Sequence, residues 1–233
     1  MEHAVSRPFR PATVAIVSVL LLTVHFPLIS RVRSASGEPS IRISFDGYEV
    51  GRLPAGWVLS NGKAQGIYSV RREDSGKFLH ADAQGTSVQI GLERTWSLQD
   101  LPLLEWRWRA IQFPSNTDER TKSTNDSVLS LYILFGSPPF YHAIKYVWSD
   151  TLSVGMSFDS PFSSRVKMIV VESGRALAGR WIVERHNVLS DYRRLFNTLD
   201  APKPAGIAVL TDADDTNSRA IGDYGEIDIL PVR

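Results

Sequence analysis

The chain has 233 residues, of which 43% are hydrophobic and 22% charged, and its formal net charge is +1. This composition is ordinary for one globular domain with a single core. Because the sequence contains no cysteine, disulfides, thiolate metal sites and a lipid-modified amino-terminal cysteine are all excluded.

The first 36 residues differ in composition from the rest. Arg7 and Arg10 precede a mostly apolar run over residues 12–29, and small residues follow at 34–36. This order is typical of a secretory signal peptide, although Arg31 and Arg33 after the run leave an uncleaved membrane anchor as an alternative. We therefore expect a signal peptide or anchor over residues 1–36 and one domain over 37–233. The domain is then periplasmic or secreted, or is held at the inner membrane by its amino-terminal segment.

The exported part of the chain is close to neutral. Residues 1–33 hold four arginines and one glutamate, so 22 basic and 24 acidic residues remain in the rest of the chain. A nucleic-acid binder would show a basic excess, which excludes that class of partner. Contact with a membrane is expected only through the amino-terminal segment.

After Gly37 the sequence consists of short apolar runs separated by Gly, Pro, Asn, Asp and Ser, with almost no helical periodicity. This pattern predicts an all-β antiparallel sandwich, jelly-roll-like and of the galactose-binding or concanavalin-like kind. The predicted strands are 41–45, 68–72, 77–83, 87–92, 104–110, 128–135, 143–148, 166–172, 181–187, 207–211 and 226–230.

Residues 104–109 alternate between apolar and charged side chains. On a strand, Trp106 and Trp108 face the core, while Arg107 and Arg109 face the opposite side. The run 128–135 is apolar on both faces and predicts a central strand. The polar segment 115–126 predicts a mobile loop, and 190–196 predicts a short helix capped by Ser190.

The arginines define the first candidate site. Alternation over 181–187 places Arg185 and Asn187 on one side of a strand with Trp181. If that side joins Arg107 and Arg109, the set binds a polyhydroxylated or anionic ligand, together with Asp191 and a stacking aromatic, Trp148. The alternative is a structural network in which Arg185 pairs with Asp191 or Asp212. The aromatic residues considered for sugar stacking are Trp57, Trp96, Tyr141, Tyr146 and Trp148.

An acidic turn is the second candidate. Asp212, Asp214 and Asp215 lie within four residues beside hydroxyl and amide side chains, a set of donors that suits calcium. The alternatives are a turn in which each carboxylate caps a backbone amide, or charge neutralisation by Arg185, Arg193 or Arg219. We favour arginine partners over a cation, and no other cofactor is expected.

Two further patterns suggest catalysis without completing a motif. Glu226 and Asp228 resemble the opening of the Glu-x-Asp-x-x-Glu strand of laminarinase-like glycoside hydrolases, but Pro231 stands where the final Glu is needed. His186 lies beside Glu184, yet no nucleophile elbow or zinc spacing accompanies it. We expect a structural or surface role for His186.

A set of tryptophan, arginine and aspartate motifs is spread over residues 100–230: Trp106-Arg107-Trp108, Tyr146-Val147-Trp148, Ser173-Gly174, Trp181, residues 184–188, Asp191-Tyr192, Phe196 and residues 206–216. In these motifs the chain resembles a bacterial family catalogued only as domain of unknown function 3047. The resemblance implies an exported bacterial β-sandwich whose activity is unassigned.

Three hypotheses of function follow from these observations. The first is an exported non-catalytic module that binds a glycan or another polar envelope ligand. The second is a jelly-roll enzyme acting on glycosidic bonds through Glu226 or Glu184 with the aspartate cluster. The third is a structural envelope protein whose charges are all internal pairs.

Overall fold

The computed structural model describes residues 40–60, 66–137 and 141–232. The predicted amino-terminal signal or anchor lies outside the described residues. The elements are, in chain order, β1 (Ile41–Ile43), β2 (Val58–Leu59), β3 (Tyr68–Glu73), β4 (Gly76–Gln84), β5 (Ile90–Glu93), β6 (Leu103–Gln112), β7 (Leu129–Phe135), β8 (His142–Ser149), β9 (Ser157–Ser160), β10 (Ser163–Ser173), β11 (Ile182–Asn187), α1 (Val188–Phe196), β12 (Pro204–Leu210) and β13 (Arg219–Leu230), with a 3₁₀ turn at Lys122–Thr124.

These strands form two sheets. Sheet A has the order β11-β6-β13-β4-β3, with β1 also paired to β13, and sheet B has the order β2-β5-β12-β7-β8-β10-β9. The all-β sandwich is therefore confirmed, with strands at all eleven predicted positions and two further short strands, β2 and β9, that the sequence pattern did not reveal. The antiparallel prediction was incomplete because β8 and β10 pair in parallel.

The apolar core lies between the two sheets. From β6 it receives Trp106 and Trp108, which are 2% and 0% exposed, with ring centroids 5.3 Å apart in an edge-to-face contact. Tyr146 of sheet B packs 5.2 Å from Trp106. The prediction that both tryptophans face the core is confirmed. Arg107 and Arg109 of β6 face the opposite side, as predicted, where they form ion pairs.

Two local predictions need correction. Asn187, rather than Ser190, caps α1, since its side chain accepts a hydrogen bond from the Ser190 amide. The segment 115–126 is not simply a mobile surface loop, because Glu119 and Asp126 are both fully buried. The Ser149 hydroxyl of β8 donates to Glu119 Oε2 at 2.8 Å, so this segment packs across the outer face of sheet B.

Strand β7 lies in the middle of sheet B, between β12 and β8, as predicted. Its core-facing residues are fully buried, and on its outer face Ser130 is buried while Tyr132 and Leu134 are half-buried. The outer face of this sheet is therefore covered in one part and open in another.

Candidate functional site

The outer face of sheet A carries the two arginines of β6, and each is bound to carboxylates of the same face. Arg107 Nε lies 2.5 Å from Glu226 Oε2. Arg109 bridges two acids, with nitrogens 2.7 Å from Asp223 and 3.1 Å from Glu73. These guanidiniums thus belong to an internal network of charge-assisted bonds.

The side chain of Trp181 packs over the two guanidinium groups and contacts one of the acids. The guanidinium carbons of Arg107 and Arg109 lie 4.6 and 4.5 Å from its ring centroid, which is cation–π geometry. Its indole nitrogen donates to Glu73 at 2.5 Å. Gly225 is required beneath Arg107, because a methyl group at that position would collide with the arginine side chain.

Arg185 and Asn187 do not complete this site. Arg185 is half exposed and pairs with Glu105 at 3.9 Å, so its predicted pairing with Asp191 or Asp212 was wrong. The side-chain oxygen of Asn187 is used by the Ser190 amide at 2.9 Å. Ligand binding by Arg107, Arg109 and Arg185 stays a prediction.

Asp191 and Trp148 lie away from the arginines. Trp148 is fully buried, with Trp108 and Phe113 at centroid distances of 6.1 Å each, and its indole nitrogen donates to the Gly174 carbonyl. Sugar stacking on Trp148 was a wrong prediction because both ring faces are covered by protein. Asp191 lies at the start of α1, where Tyr146 and Arg194 donate to its carboxylate.

Glu184 of β11 lies within electrostatic reach of His186 on the same strand and of Glu172 on β10. His186 stacks beside Trp106 and Tyr146, at 5.7 and 4.9 Å between centroids, which agrees with a structural role. Burial and the negative charge of Glu172 raise the pKa of Glu184 to about 7. A carboxyl group with this pKa exchanges a proton near neutral pH.

The acids of β13 that resembled a glycosidase strand are engaged in ion pairs. Glu226 pairs with Arg107, and Asp228 binds Arg42 through two bonds of 2.7 and 2.8 Å. Although β13 is the last strand in the sequence, it lies in the centre of sheet A between β6 and β4. Its acids therefore stabilise the sheet face in this arrangement.

A shallow groove opens on the outer face of sheet B. Its floor is almost free of side chains because Gly91 of β5 is paired with Ala208 of β12, and Gly206 lies two residues before Ala208. Half-buried Leu134 and Tyr141 stand on one side. The full lining is Val58, Ser60, Gln89, Gly91, Leu92, Glu93, Leu134, Tyr141, Ala205, Gly206 and Ala208.

Tyr141 is the one aromatic residue among those considered for sugar stacking that remains accessible. Trp57 and Trp96 are 4% and 5% exposed, and Tyr146 and Trp148 are fully buried. Tyr141 is half-buried at the groove wall, and burial raises the pKa of its hydroxyl. It therefore presents a ring and a neutral hydroxyl to whatever occupies the groove.

The acidic turn after β12 forms a second cluster, at one end of the same face. Ligand oxygens of Asp126, Asp212 and Asp214 all lie within 4.8 Å of one another. The sequence pattern predicted Asp215 as the third carboxylate of this cluster, whereas in the structure the third carboxylate is Asp126. Asp215 instead donates its backbone amide to Asp126, and its pKa is raised to about 6 by burial and by the charge of Asp214.

Lys145 supplies positive charge to this cluster, a role that the sequence had suggested for arginines. It is 2% exposed on β8, and its ammonium lies 5.5 Å from the centroid of the Tyr132 ring. Burial and Asp214 raise the pKa of Asp212, against the opposing effect of Lys145. Arg193 donates to the Leu199 carbonyl, and Arg219 forms a salt bridge with Asp82.

Asp126 and Lys145 were missed because neither belongs to a local motif. Asp126 lies 86 residues before Asp212 in the sequence, and only the folding of segment 115–126 over sheet B brings them together. The alternation in β8 could have indicated that Lys145 faces away from Tyr146 and Trp148. It could not have shown that other residues cover that side.

Comparison with known proteins gives one family and several remote structural likenesses. The profile of the family described as "Protein of unknown function (DUF3047)" matches residues 55–228. No curated protein matches the chain.

Three solved structures illustrate those likenesses. The Endo-D glycoside hydrolase domain from Streptococcus pneumoniae R6 has 9% identity and a TM-score of 0.38, over 75% of this chain and 21% of that one. The carbohydrate-binding module CBM28, specific for non-crystalline cellulose, has 10% identity and a TM-score of 0.32, over 76% and 86%. The family 11 xylanase from Neocallimastix patriciarum has 10% identity and a TM-score of 0.31, over 83% and 97%. At such TM-scores these likenesses carry no argument about this chain.

Proposed function

The chain belongs to the DUF3047 family, and from that premise we propose that it is an exported, non-catalytic jelly-roll module that binds a glycan in the groove of sheet B. The family description assigns no activity, so the proposal is argued from the chain's own residues. The observation that carries it is the groove itself, with its flat floor and its accessible tyrosine.

The floor suits one face of a sugar ring. Half-buried Gly91, paired with the buried Ala208, has no projecting side chain, so the C–H face of a pyranose can lie against the floor at that point. Tyr141 offers a ring for stacking, which contributes about 1 kcal/mol in aromatic contacts. Ser60, Gln89 and Glu93 at the rim have the donors and acceptors that hydroxyl groups require.

The arginine face of sheet A suits a ligand less well. A glycan or anion that bound Arg107 or Arg109 would have to displace Glu226, Asp223 or Glu73 from bonds of 2.5 to 3.1 Å. Asp223 is 1% exposed, and leaving it without its partner would cost free energy. Under this proposal the network stabilises sheet A and leaves the groove as the binding surface.

Export remains part of the proposal and depends on residues 1–36. The order of basic, apolar and small residues in that segment favours a cleaved signal. In the described part of the chain, no helix is both long and apolar enough to cross a membrane.

Calorimetric titration with a panel of soluble glycans tests the proposal, using xylo-, cello- and chito-oligosaccharides and peptidoglycan fragments. We expect at least one of these to bind. The affinity should fall by about tenfold or more in Tyr141→Ala, which removes the ring, and in Gly91→Leu, which places a side chain in the groove. Arg185→Ala, on the other sheet, is the matched control and should bind as the wild type does. Binding that survives both groove variants would contradict the assignment.

A second candidate function is acid–base catalysis on glycosidic bonds at Glu184. The observation that favours it is the position of Glu184 near Glu172, where burial and the charge of Glu172 raise the pKa of Glu184 to about 7, a value suited to a general acid. Hydrolysis of the same oligosaccharides, abolished by Glu184→Gln, would support this function. Stable binding without turnover would support the first candidate.

A further inference from the structure

We propose that Asp126, Asp212 and Asp214 form a calcium site that fastens segment 115–126 to the turn after β12. The three carboxylates come from two parts of the sequence and offer oxygens within 4.8 Å of one another. Calcium prefers carboxylate oxygens and takes roughly six to eight oxygen ligands. This site is separate from the glycan groove and does not depend on that proposal.

One buried carboxylate oxygen of the cluster has no hydrogen-bond partner among the described residues. Asp212 is 5% exposed, and its Oδ1 is buried and accepts no hydrogen bond from the described residues. A buried carboxylate oxygen without a donor is costly. A cation between Asp212, Asp126 and Asp214 would satisfy this oxygen.

The carboxylate of Asp126 is already held in position by hydrogen bonds. Its Oδ2 accepts from the Thr216 amide at 2.8 Å and from the Thr216 hydroxyl at 2.5 Å. Within the described ranges, its Oδ1 accepts a hydrogen bond from the Asp215 amide alone, at 3.1 Å, which leaves one lone pair of that oxygen for a metal ion. These bonds fix the orientation of the carboxylate, as second-sphere contacts do for metal ligands.

The cluster also concentrates negative charge. Its three carboxylates offer oxygens within 4.8 Å of one another, and a buried lysine on β8, Lys145, lies near them. The Lys145 ammonium also faces the Tyr132 ring, and the arginines expected near the turn bind elsewhere. When the three carboxylates are ionised, one lysine leaves excess negative charge, and a divalent ion would relieve the repulsion.

The cluster is open to solvent on one side. Asp214 is exposed, whereas Asp126 and Asp212 are buried. An ion can therefore reach the site from solvent on the Asp214 side, and water can complete its coordination there. A site that is open on one side and tolerant of water suits calcium better than magnesium, which demands near-ideal octahedral geometry.

The test is thermal unfolding of the domain after treatment with a chelator, followed by titration with calcium chloride or magnesium chloride. Calorimetry gives the dissociation constant and should show one ion per chain. At a calcium concentration about 100 times that constant, we expect a rise in Tm of about 5–10 °C, reversed by chelator. Magnesium should give a smaller rise at the same concentration.

Two variants and a control assign the ligands. Asp214→Asn alters an exposed residue, should fold, and should lose most of the calcium-dependent rise in Tm; Asp126→Asn should lose it as well. Asp215→Asn, in the same turn but outside the trio, should retain it. An unchanged Tm with calcium and with chelator would overturn the proposal, as would a rise that survives Asp214→Asn.

Discussion

Replacement of Arg109 by alanine should destabilise the protein strongly, because it removes the main partner of a buried acid. Asp223 is 1% exposed on its side chain and lies 2.7 Å from the Arg109 guanidinium. Breaking a buried ion pair by removing one member costs about 3–5 kcal/mol. His80 remains bound to Asp223 at 2.7 Å, and Arg109 is 19% exposed, so we expect the lower end, about 3 kcal/mol.

Equilibrium unfolding in urea measures this change, with Arg185→Ala as the control from the same face of sheet A. Arg185 is half exposed and 3.9 Å from Glu105, so its removal should cost less than about 1 kcal/mol. The double variant Arg109→Ala with Asp223→Asn should recover part of the stability, because the buried charge left by the first change is then removed. Equal costs for the two arginines would refute the structural interpretation of the network.

Three further predictions concern the core, the pH dependence and the amino terminus. Trp106→Ala should lower the free energy of unfolding by about 3–5 kcal/mol, measured by urea denaturation, since the ring is almost fully buried; a cost below about 1 kcal/mol would contradict its place in the core. The folded state raises the pKa of Glu184 from 4.5 to about 7, so the stabilisation from its protonated form is present below pH 4.5 and is lost as the pH rises to about 7. Glu184→Gln should therefore gain stability relative to the wild type between pH 5 and pH 8 in paired urea titrations, and a constant difference would disprove the shift. If the signal is cleaved, the intact mass of the protein recovered from the envelope should begin near Gly37, whereas recovery of the full-length chain only from membranes would favour the anchor.

The sequence predicted the faces of the main strands because side-chain alternation is a local property. Trp106 and Arg107 differ so strongly in polarity that only one sorting buries the indoles. The short strands β2 and β9 have two and four residues, too few to show a pattern. Their positions follow from pairing with β5 and β10, which is decided by the rest of the fold.

The candidate sites were harder to predict because their members are far apart in the sequence. The acids that bind Arg109 come from β3 and β13, and Lys145 is brought to the acidic turn by the order of strands in sheet B. Trp148 was taken for an exposed platform because an aromatic on a strand has the same local pattern whichever face is covered. The groove depends on Gly91 and Ala208 lying side by side, and no local motif marks that pairing.

The central claim is that the groove of sheet B, and not the arginine face of sheet A, is the binding surface. Amide chemical-shift mapping during titration with the tightest-binding oligosaccharide of the panel tests it most directly. We predict the largest shifts at Gly91, Ala208 and Tyr141, with little change at Arg107 and Trp181. Shifts concentrated at Arg107, Arg109 and Trp181, with an unperturbed groove, would contradict the account.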